Sequence, residues 1–171
     1  MLERVAKAPV QLTVHSIAGL AFLNFGIPYN TKMKPDIVLD TNVLLTALRS
    51  SKGTSYRLLS MLTEDRFQLH ISATLVAEYE AVLKRGMLAL TADQIDDVVD
   101  FICATATHHK IYYLWRPVLK DPGDDFVLEL AVKANARIVT WNVADFKRAR
   151  PLGVVVQTPR EFLNLLEDQP T

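Results

Sequence analysis

The sequence predicts an α/β fold, a three-layer α/β/α sandwich in which helices cover both faces of a central, mostly parallel sheet. Two observations predict it. Short apolar, β-branched segments alternate with helix-type segments over residues 34–166, and strands of that kind are typical of a sheet buried on both faces. Half of the 171 residues are hydrophobic, so a sizeable core can form and wholesale disorder is excluded.

The expected elements follow from periodicity and from capping signals. Ser72 is predicted as a helix N-cap, Thr91 begins a capping-box pattern, and Thr158 combines an N-cap with proline at the first helical position. The predicted strands are 36–40, 67–71, 111–115, 137–140 and 154–156. The predicted helices are 41–49, 55–63, 73–85, 91–106, 126–134 and 159–166.

Charge and cysteine content limit the classes of function. The chain has 19 basic and 19 acidic side chains and one cysteine, Cys103. A lone cysteine excludes an intramolecular disulfide framework and any multi-cysteine zinc site. A neutral total argues against a polycationic nucleic-acid binder, but it is compatible with an acidic site beside a basic rim.

The N-terminal segment differs from the remainder of the chain. Residues 1–32 hold one acid and three bases, and 8–31 are uncharged, which leaves 18 acids and 16 bases in 33–171. Basic residues before an apolar run are also typical of a secretory signal. Polar residues, prolines and the lack of a cleavage site favour instead an N-terminal extension (1–32) before one domain (33–171). An alternative is translation from Met33. We expect a cytoplasmic protein without a membrane anchor.

Acidic side chains follow the predicted strands at one edge of the sheet, where ligands bind in folds of this kind. They are Asp40, Glu78, Asp121, Asp124, Asp125 and Asp145. Each has an ordinary interpretation as a helix cap, a solvated helix face or a turn residue. Together they would repel each other unless protons or cations compensate. Mg²⁺ or Mn²⁺ prefers such oxygen ligands and promotes phosphodiester hydrolysis.

Four motifs resemble those of PIN-domain nucleases, in particular the bacterial toxin branch. They occur in family order and spacing, over residues 34–166: VLDTNVL (38–44), SATLVAE (72–78), DPGDD (121–125) and IVTWNVADF (138–146). The resemblance implies a metal-dependent endoribonuclease that is neutralised by a co-expressed antitoxin protein.

By this resemblance, a carboxylate quartet coordinates Mg²⁺ or Mn²⁺ and carries out catalysis. The first two acids correspond to Asp40 and Glu78. Spacing favours Asp124 as the third, with Asp121 and Asp125 as alternatives.

The fourth acid departs from the family pattern. Many relatives have an acid where this chain has Asn142, so Asp145 is expected to supply the carboxylate with Asn142 as its polar neighbour. Occupancy of one or two metal sites stays open.

Substrate contacts are expected around these acids. The resemblance implies that Thr41 or Asn42 lies near the first acid or the scissile phosphate. Basic residues of the rim could contact phosphates, and an ordinary charged surface is the alternative: Lys147, Arg148 and Arg150, with Arg49 and Lys52 near the first helix. Trp141 could stack a base or pack in the core.

The expected function is RNA hydrolysis by the toxin of a toxin–antitoxin pair, with RNA and an antitoxin as partners; a homodimer is left open. Two alternatives remain. The first is RNA processing or structure-specific DNA cleavage. The second is a non-catalytic binding module, which Asn142 favours.

Overall fold

The computed structural model describes residues 34–112 and 118–168, with the side chain of Pro122 left aside. These residues alternate strands and helices along the chain. The strands are β1 (Asp36–Leu39), β2 (Gln68–Ser72), β3 (Thr107–His109), β4 (Arg137–Val139) and β5 (Val156–Gln157). The α-helices are α1 (Thr41–Arg49), α2 (Thr54–Ser60), α3 (Ala73–Leu83), α4 (Ala92–Thr105), α5 (Asp125–Ala134) and α6 (Pro159–Glu167).

All five strands are parallel and lie in the order β3-β2-β1-β4-β5. The chain runs outward from β1 through β2 to β3, then returns to place β4 on the other side of β1. Strand order therefore reverses between β1 and β4, where Val38 pairs with Ile138 and Leu39 with Val139. The predicted α/β fold with a central parallel sheet is confirmed.

The reversal also explains why helices cover both faces. Parallel crossovers are right-handed, so connections that run in opposite directions along a sheet lie on opposite faces. Helix α5 packs on β1, β2 and β4, while α1 contacts α2 and α3, and α6 contacts α2. The inner residues of the central strands β1 and β4 are apolar, and Ile37, Val38 and Ile138 are fully buried.

The capping signals in the sequence are confirmed. Ser72 Oγ accepts a hydrogen bond from the Leu75 amide at 3.3 Å. Thr91 and Thr158 each complete a capping box at the start of α4 and α6. Each cap satisfies backbone N–H groups that have no partner within the helix. Within the described ranges, helices of the length and apolarity needed to cross a bilayer are absent.

Two predicted elements differ in the structure. The third strand of the described sheet is Thr107–His109. Of the predicted strand 111–115, residues 111 and 112 are not in a strand, and residues 113–115 lie outside the described part of the chain. Strand β3 is polar, and side-chain contacts connect it to the neighbouring strand. His109 Nε2 lies 2.8 Å from Nδ1 of His70 in β2. The other ring nitrogen of His70, Nε2, lies 2.8 Å from Asp36 Oδ1. The second difference is a 3₁₀-helix at Lys147–Leu152, which precedes a β5 displaced toward Gln157. The proposed N-terminal extension lies outside the described residues.

Candidate active site

The candidate site lies where strand order reverses, beyond the carboxyl ends of β1 and β4. Asp40 directly follows β1 and Thr140 directly follows β4. The Asp40 amide donates a hydrogen bond to the Val139 carbonyl at 3.0 Å, which joins the two strand ends. A crevice of this kind is the usual ligand site of open parallel sheets.

The Asp40 carboxylate is buried, with 7% of the residue exposed, and it is bonded across the sheet. Its Oδ2 accepts hydrogen bonds from Thr140 Oγ1 and Asn42 Nδ2, both at 2.6 Å. Asp40 occupies the N-cap position of α1, but its side chain makes no capping hydrogen bond. The amides of Thr41 and Asn42 in the first turn of α1 nevertheless lower the pKa of this carboxyl group, so Asp40 interacts both with the start of α1 and with Thr140.

Thr140 and Asn42 hold that carboxylate in a fixed orientation. Thr140 Oγ1 accepts from Asn42 Nδ2 at 3.1 Å and from the Asn142 amide at 2.9 Å, so its own proton goes to Asp40. Asn42 Oδ1 accepts from the Trp141 amide at 3.1 Å, which fixes the side-chain amide of Asn42 as a donor toward Asp40. Side-chain hydrogen bonds among Asp40, Asn42 and Thr140 therefore join the ends of β1 and β4.

Asp124 is the second acid with a perturbed environment. Burial raises its pKa to about 6, and repulsion from Asp40, Asp121, Asp145 and Asp125 adds to the effect. Burial also raises the pKa of Asp40; the Thr140 hydroxyl opposes this change and Asp145 adds to it. The fold therefore brings Asp40, Asp124 and Asp145 within electrostatic range of one another.

The two other acids of the 121–125 loop have structural contacts. Asp125 is only 1% exposed, and its Oδ1 and Oδ2 accept hydrogen bonds from the amides of Leu119 and Val118 at 2.8 and 3.2 Å. Asp121 is exposed, and its Oδ1 accepts from the Gly123 amide at 2.8 Å in a local turn. Asp124 is thus the loop acid best placed to serve a ligand.

Replacing Asp125 by alanine is expected to lower the free energy of unfolding by about 2–4 kcal/mol, because two backbone donors lose charge-assisted hydrogen bonds in a buried site. Urea unfolding measures the loss. Asp121→Asn is the matched control and should change stability by less than about 0.5 kcal/mol. Equal stability of the Asp125→Ala variant and the parent would contradict a structural role.

Asp145 and Glu78 differ in their electrostatic effect on Asp40 and Asp124, because only Asp145 raises the pKa of both. Asp145 is partly buried in a turn, where its amide donates to the Asn142 carbonyl at 3.0 Å. Glu78 is partly buried in α3 and is not among the groups that shift the pKa of Asp40 or Asp124. In ranges 34–112 and 118–168, acidic, histidine and cysteine side chains form no group of three arranged to hold a metal ion. Asp40, Asp124 and Asp145 are therefore coupled electrostatically, and Glu78 makes no such contribution to the pKa of Asp40 or Asp124.

The donor chemistry at the centre fits a divalent cation of the Mg²⁺ type. Asp40, Asp124 and Asp145 supply only oxygen atoms, which hard cations prefer. Mutual repulsion contributes to the raised pKa of both Asp40 and Asp124. A bound cation would remove this repulsion and keep the carboxylates ionised.

The remaining sequence-predicted contacts lie around the rim. Lys147, Arg148 and Arg150 are exposed on the 3₁₀-helix that follows Asp145, and Arg148 Nη1 donates to the Val118 carbonyl at 3.3 Å. The residue Asn142 is also exposed. One further contact is not indicated by any sequence pattern: the indole Nε1 of Trp141 donates to Ser55 Oγ at 2.9 Å. A serine on an adjacent helix carries no pattern that would have revealed it.

Comparison with known proteins identifies the family. The family model of the PIN domain matches residues 36–144, which is more than half of the chain. The chain belongs to the PIN-domain family. PIN-domain proteins are nucleases that generally use divalent metal ions, and the matched segment of this PIN domain runs from Asp36 to Ala144, so Asp40, Glu78 and Asp124 lie inside it. No curated protein matches the chain in sequence.

Solved structures show the same fold. A chain of VapBC2 from Rickettsia felis, bound to a fragment of promoter DNA, superposes with a TM-score of 0.55 at 18% identity, covering 72% of this PIN-domain chain and 98% of the other. VapBC-1 from nontypeable Haemophilus influenzae gives 0.53 at 15%, covering 73% and 98%. FitAcB from Neisseria gonorrhoeae gives 0.51 at 15%, covering 72% and 98%.

Proposed function

We propose that this PIN-domain protein is a divalent-metal-dependent endoribonuclease and the toxin of a toxin–antitoxin pair. The observation that carries the proposal is the electrostatic coupling of Asp40, Asp124 and Asp145 at the reversal of strand order. The similarity to VapBC and FitAcB chains, which come from toxin–antitoxin complexes, supports an antitoxin partner. Residues 33–171 form the nuclease domain of this proposal, and residues 1–32 an extension of it.

In this mechanism, Asp40, Asp124 and Asp145 would hold one Mg²⁺ or Mn²⁺, with Glu78 as the remaining acid of the site. Such an ion lowers the pKa of a bound water and stabilises charge on phosphate oxygens. Thr140 and Asn42 both donate to Oδ2 of Asp40, so they orient the carboxylate and leave Oδ1 without a side-chain donor among the described residues. The exposed basic side chains that follow Asp145 contact the RNA backbone on the rim.

A cleavage assay tests the activity. The purified full chain is incubated with a labelled single-stranded RNA and with a DNA of the same sequence, in Mg²⁺, in Mn²⁺ and in excess EDTA. We expect internal cleavage of RNA that requires the ion and is lost in EDTA. Cleavage of DNA in preference to RNA, or cleavage that persists in EDTA, contradicts the proposal.

The toxin role has its own readout. Induced expression of the chain should arrest bacterial growth, and co-expression of a neighbouring antitoxin gene should restore it. RNA cleavage in vitro without any effect on growth would indicate an RNA-processing enzyme instead.

A further inference from the structure

Trp141 is an aromatic residue that the structure holds in place beside the carboxylate centre, which is formed by Asp40, Asp124 and Asp145. Its backbone amide donates to Asn42 Oδ1 at 3.1 Å, and its indole Nε1 donates to Ser55 Oγ at 2.9 Å. Ser55 is only 1% exposed. The indole is therefore anchored at its polar edge to a buried group, and little conformational freedom remains to be lost when a ligand binds.

The same side chain is nevertheless exposed to solvent. Trp141 is 40% exposed, although it directly follows the fully buried Thr140. Tryptophan is enriched at contact sites because its N–H group can be hydrogen-bonded while its apolar ring meets a partner, and Trp141 has this combination. Thr140 bonds Asp40 through its hydroxyl, and Asn42 bonds both Asp40 and Trp141. Trp141 is therefore the residue next to Thr140, whose hydroxyl bonds the carboxylate of Asp40.

The surface next to the Ser55 anchor carries positive charge. Lys52, Thr54 and Arg57 line a cavity of about 290 Å³ together with Arg160 and Glu167. Arg57 is paired with Glu167 at 2.5 Å. Within the part of the chain that the structure describes, Lys52 and Arg160 form no ion pair. Trp141 does not line this cavity, but its anchor Ser55 directly follows Thr54 of the lining. Basic side chains on the helix that anchors an exposed aromatic ring fit the composition of single-strand nucleic-acid sites.

We infer that Trp141 is a base-stacking residue, which takes an unpaired nucleobase of single-stranded RNA beside the scissile phosphate. The inference rests on the proposed nuclease function and adds to it the side chain that holds an unpaired base. A base inside a duplex is already stacked on its neighbours and cannot present its face to the indole. The protein should therefore prefer loops and unpaired segments of RNA.

Binding measured without cleavage tests this role. Fluorescence anisotropy is recorded with a labelled single-stranded RNA in the Asp40→Asn background, in the presence of Mg²⁺. Adding Trp141→Ala should weaken binding about 10-fold. Trp141→Phe keeps a stacking surface but loses the indole N–H, so it should retain most of the affinity. Phe101→Ala, which removes a similarly exposed ring on α4 (39% exposed), should change nothing.

Kinetics separate stacking from a structural role. In the chain that retains Asp40, Trp141→Ala should raise KM about 10-fold and change kcat by less than about 3-fold, because stacking contributes to substrate binding. Unchanged RNA affinity in Trp141→Ala overturns the inference and leaves the nuclease function standing. If Trp141→Phe binds as weakly as Trp141→Ala, the anchor rather than the ring matters, and the inference is wrong. If the parent binds no RNA, the inference and the proposed function both fail.

Discussion

Replacing Asp40 by asparagine is expected to reduce RNA cleavage by at least about 1000-fold without unfolding the protein. The amide oxygen of asparagine can accept the hydrogen bonds from Thr140 and Asn42, which both go to one oxygen of Asp40. The amide nitrogen cannot replace the second carboxylate oxygen as a metal ligand. The fold should therefore persist while the metal site loses its central donor.

Initial rates of RNA cleavage in Mg²⁺ measure this loss, and thermal unfolding monitors the fold. Asp121→Asn serves as the control from the adjacent acidic loop, because asparagine can keep the bond from the Gly123 amide; its rate should stay within about 3-fold of the parent. An Asp40→Asn variant that cleaves RNA at the parent rate would show that Asp40 is not a metal ligand.

Replacing Asp124 by asparagine is expected to abolish cleavage and, without metal, to stabilise the protein at pH 8. The pKa of Asp124 is raised from 3.8 to about 6 in the folded state, so the folded protein binds the proton more tightly than the unfolded chain. The carboxyl group therefore costs stability as pH rises from about 4 through about 6, and asparagine removes that cost. Because the carboxyl group is only partly buried, solvent screening limits the gain to about 1 kcal/mol.

Thermal unfolding in EDTA at pH 4 and pH 8 measures this effect. The midpoint of the Asp124→Asn variant should exceed that of the parent by about 2–4 °C at pH 8, and the difference should shrink at pH 4. Adding Mg²⁺ should stabilise the parent and not the variant. A variant that is less stable than the parent at both pH values would contradict the account of Asp124.

The parts of the fold that the sequence predicts well are those with local signals. Thr91 and Thr158 carry capping boxes, and α4 and α6 begin at the next residue in each case. The apolar run that ends at Asp40 forms β1 within one residue of the expected boundary. Hydrophobic periodicity and capping chemistry act over a few residues, so the amino-acid order suffices to locate these elements.

The parts that the sequence does not settle depend on contacts between distant residues. Strand β3 is polar, and the bond between His109 and His70 joins residues 39 positions apart. Asp124 and Asp125 are adjacent acids at the start of one helix, yet Asp125 bonds the backbone of Val118 and Leu119 while Asp124 lies near Asp40. Only the direction of each side chain separates the two roles, and that direction is set by packing.

The role of Glu78 is also not settled by the sequence. The motif indicates it as the second acid of the quartet, but Glu78 is not among the groups that change the pKa of Asp40 or Asp124. Neighbouring Tyr79 is fully anchored, since its hydroxyl donates to the Leu39 carbonyl at 2.5 Å. Helix α3 is therefore fixed on β1, and Glu78 is positioned by that contact.

The central claim is that Asp40 and Asp124 bind one divalent cation together. Anomalous diffraction from crystals grown with Mn²⁺ tests it most directly, because the signal locates the metal without reference to activity. We expect a single strong peak between the carboxylates of Asp40 and Asp124, close to Asp145, and no peak there in crystals of the Asp40→Asn variant. A strong peak elsewhere, with none between these two carboxylates at saturating Mn²⁺, would contradict the account.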